Sequence, residues 1–120
     1  MTNSEPVKIG FIGLGFVCQQ CHLPTFSVNP NFKINAISDP FDDLREEIGN
    51  KFGVKNKYIS HCEMLKKADI DAVVITLPRR LTYSVVRDCL NHDKWVFTEK
   101  PLCLDFFVKV NSELHERVMR

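Results

Sequence analysis

No apolar run in this 120-residue chain approaches the ~20 residues that span a bilayer. The opening Met-Thr-Asn-Ser-Glu-Pro has no positively charged segment leading into a hydrophobic one, as an export signal would. Basic tracts are missing too: 16 lysines and arginines against 15 acids leave a formal net charge of +1, with both signs spread along the chain. Nucleic acid and anionic membranes demand a concentrated positive footprint, so neither is an expected partner. Nor is there an internal repeat, a low-complexity tract, a linker or a disulfide framework. The five cysteines, an odd number, fall inside predicted strands and helices, which suits reduced thiols and makes the cytoplasm the expected address. What remains is 44% hydrophobic and 26% charged, room for one folded core but not two.

Val7–Ile12, Phe32–Ser38 and Ala72–Thr76 are short runs rich in Val, Ile and Phe, each closed by Gly, Asp-Pro or Pro. Buried parallel strands have this pattern. Lys57–Ser60 and Trp95–Thr98 read as two more, shorter or half-exposed. Helical spacing marks Phe16–Phe26, Phe41–Phe52, Cys62–Ala68, Leu81–Asn91 and Asp105–Val118. Five βα units predict an α/β fold: a doubly wound parallel sheet, helices on both faces, strand order 3-2-1-4-5 and no second domain.

Between the first strand and first helix lies Phe11-Ile12-Gly13-Leu14-Gly15-Phe16-Val17-Cys18. In that context G-x-G-x-x-(small) is a dinucleotide-binding pattern, the mark of a Rossmann fold. Gly13 permits a tight turn, and Gly15 lets backbone approach a pyrophosphate. The helix start at Phe16 and Val17 offers that anion unpaired N–H groups and a favourable dipole. Cys18 holds the place of a third glycine and is small enough to keep helix and strand close. Roughly 20 residues on, Asp39 ends the second strand, where a carboxylate accepts from both adenosine ribose hydroxyls and repels a 2′-phosphate. The nearest arginine is Arg45, in the next helix. NAD rather than NADP is therefore the expected cofactor. Asp39 has an alternative use as cap of the helix beginning near Phe41. Thr76 at the end of the fourth strand, Pro78 just beyond it, and Glu99 and Lys100 after the fifth fall at the same carboxyl edge of the sheet and complete the expected cofactor set. The plainer reading of Glu99 and Lys100 is an exposed ion pair worth ~1 kcal/mol or less, with Pro101 a strand terminator.

Taken in order, Val7–Gly15, His22-Leu23-Pro24, Ile37-Ser38-Asp39, Asp71–Pro78 and Trp95–Leu102 resemble the N-terminal domain of the glucose-fructose oxidoreductase and inositol dehydrogenase (Gfo/Idh/MocA) family. Glu99-Lys100-Pro101 is its most specific local mark. The resemblance implies an NAD(P)-dependent oxidoreductase of sugars, cyclitols and related hydroxy or carbonyl compounds. It also implies a catalytic role for Lys100, whose ammonium would position and polarise the substrate oxygen. The family continues into a larger substrate domain, so residues 1–120 read as a cofactor domain without its substrate half, inactive alone and expected to form homo-oligomers. One departure stands out. Where the family has Pro-Asn-x-x-His, this chain has Pro78-Arg79-Arg80-Leu81-Thr82. The two guanidiniums are either a solvated helix start or a holder for an acidic substrate or phosphate. Loss of the Asn and His also keeps open a non-catalytic nucleotide-sensing or interaction module.

Cys18-Gln19-Gln20-Cys21-His22 matches C-x-x-C-H and a C-x-x-C half-site. Haem attachment wants an exported chain, and zinc wants a second ligand pair, whereas Cys62, Cys89 and Cys103 are isolated in sequence. A redox pair at a helix start is the more serious reading. The pattern position of Cys18 argues against it, and the expectation is two reduced thiols and no metal.

Overall fold

The computed structural model describes residues 5–98. Five strands, β1 (Val7–Ile12), β2 (Phe32–Ser38), β3 (Lys57–Tyr58), β4 (Ala72–Ile75) and β5 (Trp95–Thr98), form one sheet in the order β3-β2-β1-β4-β5. All four pairings are parallel. The doubly wound order read from the sequence is the order observed. β3 is shorter than its spacing predicts because Ser60 serves instead as N-cap of α3 (His61–Lys67), its side chain accepting from the Glu63 N–H at 3.2 Å.

The first helix spans 16–27 and contains a π-helical turn, Cys18–His22, that runs into α1 (Leu23–Ser27). Pro24 supplies the cause. It has no N–H for the carbonyl four residues back, and its ring crowds that carbonyl. The backbone widens just before it, and Leu23 N–H donates to the Cys18 carbonyl five residues back. α2 (Asp42–Phe52) and α4 (Arg79–Asn91) complete the described helices. α4 begins two residues before its apolar spacing does, with Pro78 as N-cap. The buried Thr82 hydroxyl reaches back to donate to the Pro78 carbonyl at 3.1 Å.

Two apolar layers sandwich the sheet. Val73 and Ile75 of β4 point to the side of α3 and α4, meeting Met64, Val86 and Cys89. Val74 points the other way and joins Ile9, Phe11, Leu23 and Ile48 on the side of α1 and α2. Alternation with period two makes this possible, and each fully buried large side chain contributes ~1.5–3 kcal/mol. On the α1 side an apolar groove of about 400 Å³ runs along β4 and β5, beside Phe26, Phe32, Trp95 and Phe97. Trp95 and Phe97 are about half exposed, at 49% and 47%. The predicted helix Asp105–Val118 lies outside the described residues. Among those residues, no helix is long and apolar enough to cross a membrane.

Candidate functional site

β1 stops where Gly13 takes φ +87°, a region that side chains rarely adopt. A Cβ there would stand 2.3 Å from the Thr76 carbonyl oxygen. The turn is pinned on every side. Gly13 N–H donates to the Ser38 carbonyl at 3.0 Å, and its own carbonyl accepts from the Thr76 hydroxyl at 2.7 Å. Leu14 N–H donates to Asp39 Oδ2 at 2.9 Å, and the Leu14 carbonyl accepts from Gln19 Nε2 at 2.8 Å. Gln19 N–H donates to the Gly15 carbonyl at 3.0 Å, the first four-residue link of the helix. The N–H groups of Phe16, Val17 and Cys18 precede that ladder and have no carbonyl of the helix to donate to.

Gly15 is a different case. Its φ lies outside the left-handed region, and among the described residues no heavy atom stands within 4 Å of where a Cβ would sit. Gly13 is demanded by the fold, whereas nothing among the described residues demands glycine at 15. The space beside it belongs to a cleft of about 340 Å³. Residues 15–18 form one wall, residues 75–79 and Thr82 the other, and Thr98 closes the end. This is the carboxyl edge between β1 and β4, where the strand order reverses and open α/β sheets bind ligands. A cofactor with a pyrophosphate matches what is present: room at Gly15, the N–H groups of exposed Phe16 and Val17, and the positive end of a helix.

The structure thus brings Gly15, Phe16, Val17, Thr76 and Pro78 to one cleft. Gly13 and Asp39 stand behind it as braces. Asp39 is buried, 7% exposed, with Oδ2 on Leu14 N–H and Oδ1 accepting from Phe41 N–H at 2.9 Å. The capping alternative needs correction: the N-cap of α2 is Phe41, whose own side chain makes no capping bond, and Asp39 reaches the helix start only through the Phe41 N–H. Asp39 instead ties the end of β2 to the glycine turn, while Arg45 donates to its carbonyl at 2.6 Å and pairs with Asp42. Glu99 and Lys100 lie outside the described residues.

Cys18, Leu77, Arg79, Thr82 and Thr98 line the cleft although the sequence reading did not place them in the cofactor set. Thr98 carried the same signal as Thr76, the last residue of a strand at the carboxyl edge. The first turn of α4 contains Arg79 and Arg80 and no acid, the opposite of what the helix dipole favours. Arg79 therefore costs the helix a little and places a cation at the cleft. Cys18 is fully buried among Phe11, Leu14 and Leu23. Burial pushes its thiol up to about 12 from 9.0, with Thr76 opposing by hydrogen bonding and Asp39 adding to the rise. A thiol so protonated is no nucleophile at neutral pH, and both Cys18 and Cys21 are free.

Comparison with known proteins agrees with this geometry. The family model for the Gfo/Idh/MocA oxidoreductases, described as an NAD-binding Rossmann fold, matches residues 7–114. Myo-inositol 2-dehydrogenase of Thermotoga maritima is 31% identical over 99 residues, 82% of this chain and 29% of that one. Scyllo-inositol dehydrogenase from Lactobacillus casei, solved with NAD(H) and scyllo-inositol, superposes with a TM-score of 0.79 at 29% identity, covering 86% of this chain and 30% of the other. A 3-ketoreductase from Actinomadura kijaniata, solved with NADP and TDP-benzene, gives 0.82 at 25% identity, covering 96% and 34%. The chain spans about a third of the length of these relatives. In fold, in the position of its cleft and in these matches, the chain belongs to the Gfo/Idh/MocA oxidoreductase family, as its NAD(P)-binding Rossmann domain.

Proposed function

We propose that the cleft at the β1–β4 switch point binds NAD, and that the chain forms the cofactor half of an enzyme moving hydride between the nicotinamide and a sugar, cyclitol or related hydroxy or carbonyl compound. The observation that carries this reading is the space beside Gly15, open among the described residues and facing the cleft. The Phe16 and Val17 N–H groups hold the pyrophosphate. Asp39, braced by two backbone N–H groups, keeps lone pairs for the ribose hydroxyls and disfavours the 2′-phosphate of NADP. Thr76 and Pro78 form the wall against which the nicotinamide half lies, with Glu99 beyond β5. When bound, the nicotinamide carries the hydride. Lys100 is the catalytic group in this proposal, its ammonium stabilising negative charge on the substrate oxygen. Substrate selection belongs to a second domain such as the length of the relatives accommodates, and the dehydrogenases and reductases among them favour catalysis over a sensing role.

Calorimetric titration with NADH and NADPH tests it. Weak binding with NADH preferred is the expected result, together with no NADH production from a panel of polyols by this chain alone. A folded sample that shows no heat at millimolar NADH overturns the cofactor assignment.

A further inference from the structure

A second constellation lies outside the cleft. His61 and Cys62 open α3, and Asp88 stands one turn from the end of α4. His61 Nε2 is 2.9 Å from Asp88 Oδ2, and Cys62 Sγ is 3.6 Å from the same nitrogen. All three donor atoms lie within 4.8 Å of one another. We propose that His61, Cys62 and Asp88 form a binding site for a zinc-class divalent cation that clamps α3 to α4.

The shared nitrogen separates this arrangement from a nucleophilic relay. In a Cys-His-Asp relay the thiol and the carboxylate engage opposite ring nitrogens, so that one orients the ring while the other gives up its proton. Here both converge on Nε2, which cannot serve both roles. Three donor atoms gathered within 4.8 Å of one another are what a metal requires. Tetrahedral Zn²⁺ with bonds of about 2.0–2.3 Å sets its donors roughly 3.3–3.6 Å apart. Two of the pairs, at 2.9 and 3.6 Å, straddle that spacing and all three atoms lie within 4.8 Å, so rotation of the side chains closes the site on an ion.

Donor chemistry selects the metal. A thiolate is soft, an imidazole borderline and a carboxylate hard, a mixture suited to zinc and poor for calcium or magnesium, which take oxygen ligands. Thiolate and carboxylate together balance the charge of a divalent ion. Access is open: Cys62 is exposed, and the His61 and Asp88 side chains are 22% and 36% exposed. Three protein donors leave the fourth position to water.

The test is titration of the tag-free, reduced chain with Co²⁺, followed by displacement with Zn²⁺. The expected result is a thiolate-to-cobalt charge-transfer band with the visible bands of tetrahedral cobalt, saturating at one ion per chain and abolished in Cys62→Ala. Asp88→Asn, checked for folding by circular dichroism, should weaken binding at least about tenfold, since even loss of an outer-shell partner costs ~10–100-fold. Cys21→Ala should bind as the parent does. In the unaltered chain, zinc should slow alkylation of Cys62 but not of Cys21, a readout independent of any variant. Absence of the band in excess cobalt, its persistence in Cys62→Ala, or equal alkylation of both thiols overturns the proposal. None of these outcomes bears on NADH binding.

Discussion

Gly13→Ala and Gly15→Ala change neighbouring glycines by the same methyl group and should part company. At Gly15 the new Cβ meets no heavy atom within 4 Å and the backbone accepts it. Lower entropy of the unfolded chain favours alanine by ~0.4–1 kcal/mol, and loss of a better helix cap takes back a similar amount. Stability should stay within about 1 kcal/mol of the parent. At Gly13 the left-handed backbone costs ~1–2 kcal/mol, and moving the Thr76 carbonyl away from 2.3 Å disrupts the 2.7 Å hydroxyl bond, worth a further ~0.5–1.5 kcal/mol. A loss of roughly 1.5–3.5 kcal/mol follows from those terms. Binding reverses the order of interest. The Gly15→Ala methyl occupies the approach of the pyrophosphate, so NADH affinity should fall at least tenfold, ~1.4 kcal/mol, in a protein that unfolds normally. Urea denaturation and NADH titration on both variants decide it. Unchanged NADH affinity in Gly15→Ala refutes the ligand-space argument, and destabilisation equal to that of Gly13→Ala refutes the division of roles.

Asp39→Ala should weaken NADH more than NADPH and also cost ~1–3 kcal/mol of stability, because it strands the Leu14 N–H; paired titrations and urea curves separate the two effects. Arg79→Ala should reduce nucleotide affinity in the same calorimeter while Arg80→Ala leaves it near the parent value, since Arg79 lines the cleft. Burial holds the Cys18 and Cys89 thiols protonated to about 12, whereas unfolded thiols ionise near 9.0. The folded state therefore retains protons that the unfolded state releases, and stability present below pH 9 should fall above it by up to ~1.4 kcal/mol per pH unit per thiol. Cys18→Ala should flatten its share in urea curves between pH 9 and 11. With half-exposed Trp95 and Phe97 beside an apolar groove, the chain should self-associate in sedimentation at rising concentration, and Trp95→Thr should weaken it; a monodisperse monomer at high micromolar protein refutes this.

The sheet was legible because buried parallel strands leave little latitude: three of five strands begin and end where the apolar runs do. The π-turn was not, because its cause, Pro24, acts on carbonyls several residues upstream where the sequence shows an unbroken helical pattern. α4 started early for a related reason, as Arg79 and Arg80 carry no apolar period and the hydroxyl that fastens the first turn comes from Thr82. Cys62 looked isolated along the chain, and only the packing of α3 on α4 brings Asp88 to His61.

Asp39 shows most clearly where sequence reading ends. Its residue type and its distance from the glycines were enough to nominate it, and two local alternatives were open, ribose ligand or helix cap. One carboxylate oxygen does hold the nearby Phe41 N–H, but the other takes the Leu14 N–H, which is 25 residues away and becomes available only when β1 and β2 pair. That bond makes the carboxylate a member of the glycine turn, so any ligand held by the turn senses Asp39 even without touching it. Loss of NADH affinity in Asp39→Ala is then ambiguous by itself. A turn loosened by the substitution weakens both nucleotides alike, whereas a lost ribose contact weakens NADH and relieves repulsion toward NADPH. The ratio of the two affinities, rather than either one, is the quantity that identifies what Asp39 does.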